Sequence, residues 1–242
     1  MLSVSEIFGP TFQGEGPYAG RRCGFIRLGG CNLHCVWCDS AYTWRFSDTH
    51  DHVNPKVFNR KEELTRWDMQ LLLKRMLDMN LDHWVITGGE PLLQEQELAH
   101  LLWAHTYQLK GNAFYEIETA GTIEPKSPKW STLNVHYNVS PKLEHSGNTL
   151  VERYHPEVLQ WFGRQGKVAF KFVARDEEDL DEISGICKYN KIPAYLIWIM
   201  PLGVDGDLID SRLREMSAEV LMRGWNMTNR LHIQIWGNIR GV

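Results

Sequence analysis

Apolar and polar positions along the chain fall into two recurring patterns. Short runs that are almost continuously apolar or β-branched occur at Arg22–Leu28, His83–Thr87, Ala113–Glu118, Leu133–Val139, Val168–Val173, Ala194–Ile199 and Leu231–Trp236. Such runs predict strands, and several lack strict alternation, as expected for parallel strands covered on both faces. Between them, spaced apolar positions predict helices over Arg66–Met79, Glu95–Gln108, Pro156–Phe162, Glu177–Tyr189 and Ile209–Arg223. Thr65 followed by Asp68 resembles a helix start. Asp176, Glu177, Glu178 and Asp179 load the next helix's positive end with acid.

Strand and helix in alternation predict an α/β fold with a parallel sheet. About six or seven strands are too few for a closed eight-stranded barrel of ~250 residues. A single-domain, partial (open) parallel β/α barrel over residues 1–242 is therefore expected. The segment Thr43–Lys61 breaks the rhythm; it is polar, aromatic and irregular, and reads as an inserted loop or small lid. Three unusual loops follow predicted strands: Gly29–Ser40, Gly88–Pro91 and Ser140–Lys142. They are expected to share one rim, where ligands gather beyond the carboxyl ends of the strands.

Composition narrows the class. With 43% hydrophobic residues and no long polar tract, the chain is not disordered. A net charge of −4 and no Lys/Arg-rich stretch give no footprint for a nucleic-acid partner. No apolar run reaches the roughly 18–20 residues of a membrane helix, and the first residues carry no leader-like pattern. A soluble, cytoplasmic protein with no membrane partner is expected.

Cysteine usage is more specific. Five cysteines cannot form a complete disulfide framework, and Cys31, Cys35 and Cys38 crowd into one C-x3-C-x2-C loop. That clustering points to metal ligation in a reducing compartment. Structural zinc wants four closed ligands, usually from paired C-x2-C arms, and His34, His50 and His52 offer no partner at that spacing. A 4Fe-4S cubane suits the loop better, because three thiolates hold three irons and leave the fourth open. Zinc and buried free thiols are the alternatives. Cys23 and Cys187, on a predicted strand and a predicted helix, read as small core residues, and His34 as a spacer.

With Trp37 before its last cysteine, this loop resembles the cluster loop of the radical S-adenosylmethionine (SAM) enzymes. The resemblance implies an open iron that chelates the amino and carboxylate groups of SAM, and reductive cleavage to a 5′-deoxyadenosyl radical. Such a radical must form in a closed pocket with substrate already in contact. The sequence Gly88-Gly89-Glu90-Pro91 resembles the family segment that grips the SAM amino group. Glu116–Thr122 and Asn138–Lys142 also end predicted strands with polar groups. The implied SAM contacts are Trp37, Cys38, Asp39, Gly88, Gly89, Glu90, Glu118, Ser140, Pro141 and Lys142. Lys171, inside an apolar strand, either reaches this pocket or snorkels to solvent.

Three more segments are Glu6–Gly16 with its Gln-Gly-Glu-Gly end, Cys38-Asp39-Ser40, and Trp236-Gly237-Asn238-Ile239-Arg240-Gly241-Val242. Together they resemble the 7-carboxy-7-deazaguanine synthase family, from residue 6 to the last; Trp44–Lys61 and Asn148–Lys167 carry no matching motif. The resemblance implies a magnesium-dependent radical ring contraction of 6-carboxy-5,6,7,8-tetrahydropterin to 7-carboxy-7-deazaguanine. Ammonia is lost, SAM is regenerated, and no protein side chain is implied as the hydrogen-abstracting group. Phe12, Gln13, Gly14, Glu15, Arg27, Thr87 and Val242 are the implied substrate contacts. Chemically, Phe12 supplies a stacking face, Gln13 an amide, Glu15 an acceptor for the pterin amino group, and Arg27 a fork for the substrate carboxylate. Ser40 matches the magnesium ligand, a hard oxygen beside the cluster loop. Val242 is expected to fold its terminal carboxylate over the pocket. The family also implies a homodimer and an electron donor such as flavodoxin or ferredoxin. Two other readings stay open from the residues: a radical SAM activase of a protein partner, and a non-catalytic iron–sulfur or zinc protein.

Overall fold

The computed structural model describes residues 1–242. The chain opens with β1 (Leu2–Phe12) and β2 (Arg22–Leu28) and then enters the cysteine loop. Next come a short helix α1 (Arg60–Glu63), β3 (Thr65–Trp67), α2 (Met69–Asp78), β4 (His83–Gly88), α3 (Glu95–Gln108) and β5 (Phe114–Thr119). The second half adds β6 (Val135–Val139), α4 (Leu150–Arg153), α5 (Pro156–Gly163), β7 (Val168–Ala174), α6 (Glu177–Asn190) and β8 (Ile197–Pro201). It ends with α7 (Gly206–Met222), β9 (Asn226–Met227) and α8 (Leu231–Trp236).

All nine strands form one sheet in the order β3-β1-β2-β4-β5-β6-β7-β8-β9. From β2 to β9 every pairing is parallel. Only β1 runs the other way, antiparallel to both β2 and β3. The outermost strands do not pair with each other, so the sheet is an open, partial barrel in the expected α/β class. Every position of β6 and β7 is buried, which explains why β7 is apolar without alternation apart from Lys171, and why the polar His136 and Asn138 of β6 are buried with the rest. Cys187 packs in the main core and Cys23 is fully buried, as expected of small core residues.

Three expectations need correction. The strand count is nine rather than six or seven, because β1, β3 and β9 were not legible. The helix expected from Arg66 starts later: Thr65–Trp67 pairs with Leu2–Val4, and Asp68 is the cap, its carboxylate accepting from Gln70 N at 2.8 Å. Leu231–Trp236 is a helix, not a strand. Its alternating Leu231, Ile233 and Ile235 mimic a strand, yet only Ile233 is buried and Ile235 is 47% exposed. Leu231 N donates to Gly14 O at 2.8 Å, which directs the segment across the barrel mouth instead of along the sheet edge.

Candidate active site

The carboxyl ends of the parallel strands open onto one cavity of about 540 Å³, an ordinary size for a small-molecule site. Cys31, Cys35 and Cys38 all line it, and all are free thiols. Each sulfur accepts one N–H: Cys31 from Leu33 N (3.4 Å), Cys35 from Asn148 Nδ2 (3.2 Å) and Cys38 from Trp44 Nε1 (3.4 Å). Burial pushes all three thiols up, Cys38 to about 11 with the Asp39 charge adding to it. Thiolates here therefore call for a cationic partner to offset their desolvation, and their N–H donors are already in place. The donor set suits a cubane: three thiols on one loop, each with an N–H already aimed at its sulfur.

The glycine pair after β4 is explained by what it touches. Gly89 N donates to Leu28 O at 3.0 Å and Glu90 N to Gly30 O at 2.8 Å, stitching the β4 loop to the root of the cysteine loop. A Cβ on Gly89 would stand 1.9 Å from Gly30 O, and one on Gly88 2.1 Å from Leu28 O. Both glycines line the cavity; Glu90 and Pro141 do not. The fully buried Glu90 carboxylate instead accepts from Thr119 Oγ1 (2.9 Å), Ala120 N (2.8 Å) and Leu92 N (3.0 Å). Glu90 thus ties the β4 loop to the β5 loop. Trp37, Asp39, Glu118, Ser140 and Lys142, named above as implied SAM contacts, line the cavity. Trp37 Nε1 donates to His145 Nδ1 at 2.9 Å, and Lys142 Nζ to Ser140 Oγ at 2.8 Å.

The expected substrate contacts line the same cavity. Gln13 is buried; its Nε2 donates to Glu116 Oε2 at 3.2 Å while its Oε1 accepts from Glu15 N at 3.2 Å. Glu116 is itself fixed by His83 Nε2 (2.7 Å) and Asn138 Nδ2 (2.6 Å). Arg27 and Thr87 are register neighbours across β2 and β4, and Arg27 Nε donates to Glu6 Oε2 at 2.8 Å. Gly14 and Val242 line the cavity, as does Ser40, whose Oγ lies 3.7 Å from Cys38 Sγ. Phe12 sits at the mouth, 44% exposed and stacked on Trp236 with centroids 6.2 Å apart.

Lys171 reaches the pocket rather than solvent. Its ammonium pairs with the Glu15 carboxylate and lies 3.5 Å from Glu118 Oε1. Burial would raise the Glu15 carboxyl, but Lys171, Arg230 and His232 overcome it and hold the group well below the usual carboxylate range. Glu15 is accordingly an ionised acceptor. Arg230 and His232 also line the cavity and were missed in the sequence. Arg230 Nε donates to Glu15 Oε1 at 2.9 Å and its Nη2 to Asp39 Oδ2. His232 packs so closely on Gly14 that a Cβ there would stand 1.9 Å from Nδ1. Neither residue sits in a recognisable motif, so no local signal marks them.

The Thr43–Lys61 insert lies against the cysteine loop: Val53 N donates to Val36 O at 2.8 Å, and Val53 forms part of the cavity wall. His34 turns outward and stacks on His50 at 3.7 Å, in keeping with a spacer.

Comparison with known proteins agrees with this geometry. Residues 12–128 match the family described as a 4Fe-4S single cluster domain. The chain is 32% identical to the 7-carboxy-7-deazaguanine synthase of Pyrobaculum aerophilum, over 99% of this chain and 97% of that one. Identity to the Bacillus subtilis 7-carboxy-7-deazaguanine synthase is 31%, over 100% and 98% of the two chains. The crystal structure of QueE from Escherichia coli shares the fold, with a TM-score of 0.66 at 24% identity over 96% of this chain and 94% of that one. No helix is long and apolar enough to cross a membrane. The chain therefore belongs to the 7-carboxy-7-deazaguanine synthase family of radical SAM enzymes with a 4Fe-4S cluster domain.

Proposed function

We propose that this chain converts 6-carboxy-5,6,7,8-tetrahydropterin to 7-carboxy-7-deazaguanine by a SAM- and magnesium-dependent ring contraction that releases ammonia. The observation that carries this reading is a single cavity lined both by the three cysteines and by Gln13, Glu15, Arg27 and Lys171. When bound, a cluster on Cys31, Cys35 and Cys38 with SAM supplies a 5′-deoxyadenosyl radical that takes a hydrogen from the substrate.

The remaining chemistry belongs to the side chains. Ionised Glu15 accepts from the pterin amino group, and the Gln13 amide, held in one orientation by Glu116 and Glu15 N, reads the neighbouring edge. Arg27 turns its remaining guanidinium N–H groups to the substrate carboxylate. Ser40 offers a hard oxygen between that carboxylate and the cysteine loop, where magnesium would keep several waters. Gly88, Gly89, Trp37, Asp39, Glu118, Ser140 and Lys142 line the SAM side, with Glu90 and Pro141 supporting it from outside the cavity. Val53 and Val242 line the same cavity. A single domain over residues 1–242, a homodimer, a cytoplasmic setting and a one-electron donor such as flavodoxin or ferredoxin complete the reading. One nine-stranded sheet spanning Leu2 to Met227 and five free thiols support the domain and the setting.

The test is turnover of the anaerobically reconstituted, reduced protein with SAM, magnesium and the carboxytetrahydropterin. The deazaguanine ultraviolet spectrum should appear together with ammonia; SAM turnover without either product would overturn the assignment. For Ser40→Ala, the magnesium requirement should shift to higher concentration, and an unaltered magnesium titration would count against Ser40 as the ligand.

A further inference from the structure

Arg230 lies in the loop between β9 and α8, outside every motif, yet its guanidinium joins three residues that line the cavity. Nε donates to Glu15 Oε1 at 2.9 Å, Nη1 to Gly203 O at 2.6 Å, and Nη2 to Asp39 Oδ2. The side chain is buried. In the proposed function Glu15 is assigned to the substrate and Asp39 to SAM. The two carboxylates repel each other, and Arg230 is the cation that both contact. On its other side Glu15 is held by Lys171, which also faces Glu118. A chain of alternating charge, Glu118–Lys171–Glu15–Arg230–Asp39, thus ties the substrate contact Glu15 to a SAM contact on either side, through Arg230 to Asp39 and through Lys171 to Glu118.

We propose that Arg230 is a positioning residue that couples the two half-sites, so that a ligand settled against Glu15 orders Asp39 for SAM, and the reverse. A guanidinium is planar and presents its N–H groups in a fixed fork, so the position of one carboxylate sets the position of the other. Coupling of this kind is a reciprocal free energy: each ligand must tighten the other by the same factor. The inference rests on the assignment of Glu15 to the substrate and Asp39 to SAM made above. It adds a physical means by which radical formation is confined to the moment when substrate is present.

The experiment is anaerobic calorimetry on the cluster-loaded protein, titrated with S-adenosylhomocysteine, which does not undergo sulfonium cleavage, with and without the carboxytetrahydropterin. The wild type should bind the adenosyl compound about tenfold more tightly when the pterin is present, a coupling in the usual range. In Arg230→Gln that ratio should fall to about one, and Arg230→Lys, a point charge that cannot fork to both carboxylates, should lie between. A purely structural role would weaken both affinities and leave the ratio alone. Uncoupled formation of 5′-deoxyadenosine should rise relative to deazaguanine in the same variants.

Retention of the wild-type ratio in Arg230→Gln overturns the proposal. If that variant does not fold, an unchanged ratio in Arg230→Lys overturns it equally. A wild type that binds both ligands without coupling overturns the proposal alone. A wild type that binds the adenosyl compound but not the pterin brings down the functional assignment, and the proposal with it.

Discussion

Asn148 ties both ends of its amide to the cysteine loop. Its Nδ2 donates to Cys35 Sγ at 3.2 Å, and its Oδ1 accepts the His34 N–H at 2.8 Å. An N–H aimed at a cluster sulfur stabilises the reduced, more negative state. Asn148→Ala should therefore keep its iron and sulfide but lower the cluster's reduction potential, as read by potentiometric electron paramagnetic resonance; an unmoved potential would contradict the contact. Stability should fall by about 1–3 kcal/mol, because the His34 N–H loses its acceptor. Residues of this sort explain what the sequence could not reveal. Cys31, Cys35 and Cys38 announce themselves because their spacing is local. Asn148 meets Cys35 across 113 residues and Arg230 meets Asp39 across 191, and only the fold brings them together. Glu90 shows the opposite failure: its motif is legible, but its carboxylate faces Thr119 and Ala120 rather than the cavity.

Among the elements, β4 and its loop show how packing sets the site. Gly89 lies so close to Gly30 that neither backbone can yield to a side chain. Gly89→Ala should cost roughly 3 kcal/mol and reduce iron retention, since the displaced partner is the root of the cysteine loop. A variant with full iron and an unchanged melting temperature would refute this. Strands β2, β4, β5, β6, β7 and β8 were readable because each concentrates apolar and β-branched residues in a short run, as parallel strands covered on both faces do. Others were not. β3 and β9 have three and two residues, too few to show a pattern. In α8, Leu231, Ile233 and Ile235 alternate as a strand would. Yet its path is fixed by Arg230 and by the bond from Leu231 N to Gly14 O, contacts that no local pattern contains.

Taken as one molecule, the open barrel places its chemistry at one end and its titratable strain in the core. Burial pushes both His105 and His136 down to about 4 from the ordinary 6.5. The folded chain keeps these rings neutral, whereas the unfolded chain protonates them below 6.5. Stability is therefore full above about 6.5 and declines as pH falls toward 4. Glu15 and Glu6, held low by their cationic partners, extend the loss to more acidic pH. Urea midpoints should drop steadily from about pH 7 to about pH 4.5, and less steeply in His105→Gln, which removes one of the two rings. A flat profile in the wild type would contradict the burial of both rings.

Reduced, cluster-loaded protein mixed anaerobically with SAM gives the most direct reading of an open iron facing the cavity. The cluster's paramagnetic resonance spectrum should change on addition of SAM, and 5′-deoxyadenosine should accumulate. Cys35→Ala should show neither effect. Iron-replete wild-type protein whose spectrum ignores SAM, and which leaves the sulfonium intact under strong reductant, would show that the three cysteines hold no open iron.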